Sequence, residues 1–166
     1  PVALVPIEAR EFASAVAARW GDYLAVANRR FTANLDSGTA VFRGDAHLLN
    51  RAIDNLIENA AKYSGESSLI AFEFERTEPA LLFRIRDEGF GIPEAEMPYV
   101  FQSFYRVDRS RNSQVPGSGL GLSIAKEIAA IHDGELTVRA NESGIGCTFT
   151  LVIPRNAGQE KDPSGS

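Results

Sequence analysis

Asn55, Asn59 and Lys62 fall at i, i+4 and i+7 in the stretch "AHLLNRAIDNLIENAAKYS". The same stretch carries Leu49, Ala52, Ile53, Leu56, Ile57 and Ala60 at helical spacing, which predicts an apolar stripe facing a core with the polar trio along another edge. An interior asparagine gives up about 0.6 kcal/mol of helix propensity relative to alanine. A face that only meets water is more naturally built from Glu, Lys or Arg. Amide oxygens can ligate a hard cation such as Mg²⁺, and a lysine can meet a phosphate. A tolerated polar face is the plainer reading of either asparagine alone. The aligned pair with its lysine favours ligand binding.

Two glycine-rich stretches add to this. In "RIRDEGFGIP" a strand ends at Asp87, and Gly89 and Gly91 form a corner closed by Ile92 and Pro93. Such glycines permit close approach of the backbone to a flat ligand, and the aspartate can accept a hydrogen bond from an exocyclic amine. A simple turn with Asp87 as its cap is the competing reading. In "PGSGLGLS", residues 116–123, Gly117, Gly119 and Gly121 precede a helical run. Bare N–H groups at a helix N-terminus suit an anion, and glycines let it come close. The spacing matches neither the Walker loop nor the dinucleotide fingerprint. Upstream, "FYRVDRSRNSQVPGSG" gathers Arg106, Arg109 and Arg111 in a polar segment that reads either as a lid over phosphates or as an ordinary solvated loop.

The elements needed to position these residues can be traced along the chain. Apolar residues from Pro6 to about Asn28 predict a first helix, with Gly21 as a flaw. Short strands are expected at "RRFTANL" and "TAVFRG" around the turn signal "DSG". Asp45 is placed to cap the second helix, which runs to about Tyr63. Strands follow at "SLIAFEFER" and "ALLFRIRD", then the glycine corner and a short helical stretch near 95–101. A third helix is expected from about Gly119 to His132, stopped by Gly134, and "GELTVRAN" with "GCTFTLVIP" forms a closing hairpin. Three helices and about six strands predict a two-layer α/β sandwich, with helices on one face of a mixed, largely antiparallel sheet.

Composition narrows the function classes. The 166 residues suit one domain, and 44% hydrophobic with 23% charged residues is a globular balance. A net charge of −5 argues against a nucleic-acid surface. Cys147 is alone, which predicts a small core residue in a reducing compartment rather than a disulfide. No apolar run approaches the length of a membrane span. The chain opens on Pro1 rather than methionine and is expected to be part of a longer protein.

In order and spacing, "NLIENAAKYS" (55–64), "DEGFGIP" (87–93), "FQSFYR" (101–106) and "GSGLGL" (117–122) resemble the N, G1, F and G2 boxes of the ATP-binding catalytic domain of sensor histidine kinases. These domains have the Bergerat fold of the wider group that includes gyrase and MutL. The resemblance implies a catalytic domain over 1–154, with a lid at about 102–118 and a disordered tail at 155–166. It implies that Asn59 ligates Mg²⁺, with Asn55 also facing the metal, and that Lys62 approaches the phosphates of ATP. Tyr63 should meet the adenine and Asp87 its 6-amino group, with Gly89, Gly91 and Ile92 shaping the base pocket. Phe101 and Phe104 should anchor the lid, Phe104 also lying at the nucleotide, and Arg106 should reach the terminal phosphates. Gly117, Ser118, Gly119, Leu120, Gly121 and Leu122 should surround the phosphate chain. Asn55, Lys62 and Arg106 form the implied catalytic set.

The implied reaction is transfer of the γ-phosphoryl group to a histidine on a dimerising helical domain of the same protein, and from there to a response-regulator aspartate. The isolated domain is expected to be monomeric and cytoplasmic, within a membrane-anchored bacterial sensor. His132, at a helix end beside Gly134, and His47, with no acidic residue next to it, both lack the paired base of an activated imidazole. In ATP-hydrolysing relatives the position of Asn55 is a glutamate, and an amide has no useful basicity. A related serine kinase or ATPase, and a nucleotide-binding module without activity, are the competing readings.

Overall fold

In the computed structural model, residues 1–106 and 119–155 are described. Strand β1 (Val5–Glu8) leads into helix α1 (Ala9–Val26), then β2 (Arg30–Leu35), β3 (Val41–Gly44) and helix α2 (Ala46–Tyr63). Strands β4 (Leu69–Arg76) and β5 (Ala80–Arg86) follow, then a 3-10 turn at Glu94–Tyr99, helix α3 (Gly121–Ile131), and β6 (Glu135–Ala140) with β7 (Cys147–Pro154). The expected lid residues 107–118 and tail residues 156–166 lie outside the described residues.

Five strands form one sheet in the order β2-β4-β5-β7-β6, antiparallel throughout except for the parallel pair β2 and β4. Period-two alternation puts Leu81, Phe83 and Ile85 of β5 on one face, with Phe72 and Phe74 of β4 and Phe149, Leu151 and Ile153 of β7. That face packs on the helices. Phe12 of α1 meets Phe83 edge-on at 5.8 Å, and the α2 stripe Leu49, Ala52, Ile53, Leu56, Ile57 and Ala60 is buried as its spacing predicts. The opposite face carries the Glu75–Arg84 ion pair at 2.7 Å. Fully burying one such leucine or phenylalanine contributes roughly 1.5–3 kcal/mol, so this single layer contact holds the fold.

Three features depart from the sequence reading. The first helix does not begin at Pro6. Val5–Glu8 is instead a strand paired antiparallel to β3, and Glu8 then caps α1 by accepting N–H bonds from Arg10 and Glu11. Strand β3 therefore belongs to a separate two-stranded sheet, although β2 and β3 flank one short turn. At the end of α3 the left-handed residue is Asp133 (φ 56°) and not Gly134. Gly134 is required because a Cβ there would run into the Val152 carbonyl.

One histidine joins two helices. Asp45 caps α2 through Oδ1, which accepts the Leu48 N–H at 3.2 Å, while Oδ2 accepts the Ala3 N–H at 3.1 Å. These backbone donors hold the Asp45 carboxyl below the usual carboxylate range, the Ala3 bond most strongly. The Asp45 N–H donates to His132 Nε2 at 3.0 Å, so the ring proton is on Nδ1, which donates to the Ile128 carbonyl at 2.8 Å. Buried with both nitrogens engaged, His132 ties the start of α2 to the end of α3.

Candidate functional site

The end of α2 meets the glycine corner directly. The Phe90 N–H donates to the Tyr63 carbonyl at 3.2 Å. A Cβ on Gly89 would run into that same carbonyl oxygen, so only glycine allows the corner to close on the helix end. Gly91 has φ +74°, the left-handed region that favours glycine. Tyr63 and Asn59 are half-buried and Lys62 is exposed, all on the helix that ends here.

Asp87 is 3% exposed. Its Oδ1 accepts the Gly89 N–H at 2.9 Å, and its Oδ2 accepts the Cys147 thiol at 3.5 Å. Burial raises its pKa above the ordinary aspartate value, with the Gly89 and Cys147 bonds opposing the shift. The Cys147 thiol is pushed up in turn, first by burial and then by the Asp87 charge, which makes it an inert donor. A carboxylate held in so dry a place, with one lone pair to spare on each oxygen, is a strong acceptor for a buried amine.

The turn between β6 and β7 supports Asp87 from behind, and the sequence reading did not assign it this role. Asn141 Nδ2 donates to the carbonyls of Asp87 and Ile145, each at 2.8 Å, and its Oδ1 accepts the Thr148 hydroxyl at 2.6 Å. The Asp87 N–H donates to the Cys147 carbonyl at 3.0 Å. Gly146 has φ +74° and lies flush on the Asp87 carbonyl, where a Cβ would collide. The glycines of "NESGIGC" signal a turn in the sequence, but what that turn packs on is a non-local fact. Cys147 is the core residue its setting suggested, and it also touches the candidate base-recognising carboxylate.

At the other end of the α2 edge, α3 begins. A Cβ on Gly121 would lie 3.7 Å from Asn55 Cβ and Cγ, so the first turn of α3 sits over Asn55. Leu120 is the cap residue and offers no side-chain hydrogen bond, unlike Glu8 of α1 and Asp45 of α2. Its carbonyl accepts the Ile124 N–H at 3.0 Å and the Ser123 hydroxyl at 2.8 Å. Helix α3 starts at Gly121, two residues later than the pattern predicts, because Gly119 has φ +74°. Leu122 and Ile92 are partly buried and packed on the core, which holds the helix start and the corner in place.

Phe104 and Gly119, on either side of residues 107–118, meet through the backbone. The Phe104 N–H donates to the Gly119 carbonyl at 2.9 Å, and Phe104 has φ +67°. A Cβ on Gly119 would come within 2.9 Å of the Phe104 backbone. Phe101 is an anchor as expected, meeting Phe149 edge-on at 6.1 Å with the Lys126 ammonium 4.7 Å from its ring centroid. Phe104 is not an anchor by its side chain, which is 69% exposed; its main chain does the holding. Arg106 is half-buried at the edge of the described residues, whereas Arg109, Arg111, Gly117 and Ser118 lie outside them.

Comparison with known proteins agrees with this arrangement. Residues 44–157 match the family described as histidine kinase-, DNA gyrase B-, and HSP90-like ATPase. The chain is 37% identical over 134 residues to the sensor histidine kinase WalK of Bacillus subtilis, a span that is 80% of this chain and 22% of WalK. Of curated relatives such as this one it spans about a fifth to a quarter of the length. Among solved structures, the mycobacterial sensor histidine kinase MprB superposes with TM-score 0.76 at 27% identity, over 93% of this chain and 99% of that one. The histidine kinase ThkA, solved in complex with the response regulator protein TrrA, shares the fold with TM-score 0.78 at 21% identity, over 96% of this chain and 44% of that one. The chain therefore belongs to the histidine kinase-, DNA gyrase B- and HSP90-like ATPase family, as the ATP-binding domain of a sensor histidine kinase.

Proposed function

We propose that residues 1–154 bind Mg-ATP and present its γ-phosphoryl group to a histidine on a helical domain outside this chain. The observation that carries this reading is the meeting of three elements along one helix edge. The start of α3, which the Leu120 side chain does not cap, covers Asn55, the end of α2 carries Asn59, Lys62 and Tyr63, and the buried Asp87 stands beyond the Tyr63 carbonyl. Asp87 would accept from the adenine amine, and the α3 N–H groups with Lys62 and Arg106 would hold the phosphates.

Among the described residues no group of three or more His, Cys, Asp or Glu could hold a metal ion. The donors at hand are the neutral amide oxygens of Asn55 and Asn59, which suit an ion that arrives with the triphosphate and keeps most of its ligands from phosphate and water. Mg²⁺ so bound would neutralise phosphate charge. The chain's own part is positioning, since phosphoryl transfer needs little else. Asn55 lacks the basicity to activate water, so hydrolysis should be slow.

The acceptor is not His132, whose two nitrogens are engaged in the interior. Nor is it His47: the nearby Asp45 carboxylate already accepts the Leu48 and Ala3 N–H groups. An imidazole nitrogen of the partner domain would attack the γ-phosphorus, with ADP as the leaving group. Onward transfer to a response-regulator aspartate, dimerisation, and a membrane anchor would belong to the longer protein; no helix among the described residues is long and apolar enough to cross a membrane. The test supplies labelled Mg-ATP and the protein's own helical segment. Label on that segment's histidine supports the proposal. Label on serine, or release of inorganic phosphate alone, supports the serine kinase or ATPase, and binding without turnover supports an inactive module.

A further inference from the structure

The last four carbonyls of a helix have no partner within it, and at α2 these are residues 60–63. Three of them are provided for. Ala60 accepts the Ser64 hydroxyl at 2.6 Å, Ala61 accepts Arg29 Nη1 at 3.1 Å, and Tyr63 accepts the Phe90 N–H. Arg29 Nη2 also donates to Ser64 Oγ at 2.6 Å, so one guanidinium grips both the open carbonyl and the residue that closes the helix. Arg29 belongs to none of the four boxes. It stands between α1 and β2, where the left-handed Asn28 (φ 58°) turns the chain and the Arg29 N–H donates to the Leu24 carbonyl at 2.7 Å. Its positive charge also suits the negative end of the α2 dipole.

We propose that Arg29 is a positioning residue for the nucleotide site: it fixes the last turn of α2 and, through the Tyr63 carbonyl, sets the Gly89–Gly91 corner against the Asn59–Lys62 edge. The proposal rests on the reading of this site as a nucleotide site. Among the described residues, the Tyr63 carbonyl is a hydrogen-bonded step between them. It accepts from Phe90 and closes the space above Gly89, and Gly89 in turn donates to Asp87 Oδ1. Movement of the helix end by a fraction of an ångström would move the corner and leave Asp87 itself in place, because Asp87 is held separately by Asn141 and Cys147.

The test compares the wild-type chain with Arg29→Met and Arg29→Lys by residue-resolved amide hydrogen exchange and by titration with Mg-ATP. Arg29→Met is expected to speed exchange at the Phe90 amide by about tenfold, the loss of one charge-assisted clamp, while the Asp87 amide, bonded to the Cys147 carbonyl, keeps its rate. ATP affinity should fall several-fold, and Arg29→Lys, which keeps the charge but not the fork, should lie between. A lower melting temperature with Phe90 exchange and ATP affinity unchanged would mean a plain helix cap and overturn the proposal. Release of Phe90 without loss of affinity would overturn it as well. If Arg29→Met does not fold, Arg29→Lys decides by the same two readings. Absence of ATP binding by the wild-type chain would sink the nucleotide reading, and the proposal with it, whereas a failed Phe90 reading sinks the Arg29 clamp alone.

Discussion

Helices α2 and α3 begin in opposite ways. Asp45 caps the start of α2 with its side chain: one oxygen takes the Leu48 N–H, the other takes Ala3, and its own N–H goes to His132. Leu120, between two glycines, gives the start of α3 no cap from its own side chain, and that start lies over Asn55. Both termini carry the same backbone donors, so the difference lies in what satisfies them. A carboxylate at α2 stabilises the fold. At α3 the same role is open to a phosphate, and a resident carboxylate would compete with it.

Exchanging these properties should break the comparison where it is wrong. The largest effect expected is on the closed end. His132→Leu removes the acceptor of the Asp45 N–H and leaves the Ile128 carbonyl only the residue-132 backbone N–H at 3.3 Å, at a cost of about 1–3 kcal/mol of stability in a denaturant melt. Nucleotide affinity in the surviving folded protein should hardly change. At the open end, Leu120→Asp supplies the missing cap. The variant should melt no lower than wild type, yet bind Mg-ATP about tenfold more weakly, near 1.4 kcal/mol, because the new charge stands where phosphate is proposed to bind. Unchanged affinity in that variant would remove the α3 terminus from the site.

Asp45→Ala should lower the melting temperature by about 2–4 °C and spare ATP binding. The subtlest expectation concerns pH. Asp87 is raised above the ordinary aspartate value in the folded state, chiefly by burial, so the native protein holds that proton more tightly than the unfolded chain does. Its contribution to stability therefore falls as pH rises through the interval between the unfolded and folded values. Asp87→Asn should match wild type below that interval and melt higher above it. Equal melting at neutral pH would show that the ionised carboxylate is not costly where it sits.

The sequence makes the closed end easy to read and the supports of the site hard to read. Asp45 stands directly before an apolar stripe, so cap and helix follow from local spacing. The four boxes are local in the same way, and the structure brings them together through Tyr63, Asn55 and Gly119. Residues 6–8 read as the start of a helix because only a distant partner, Val41–Gly44, makes Val5–Glu8 a strand. Asn141 and Arg29 carry no signal either, since what matters about them is a carbonyl 54 or 32 residues away. Phe104 misleads for another reason: its ring suggests packing, whereas its positive φ and its backbone bond to Gly119 do the work.

The central claim is that a buried carboxylate selects adenine nucleotide in this pocket. Titration calorimetry of Mg-ATP into the wild-type chain and into Asp87→Ala tests it most directly. A saturable single-site heat for wild type, lost in a variant that melts no lower, is the predicted result. No heat with wild type, or equal affinity in the two proteins, would contradict it.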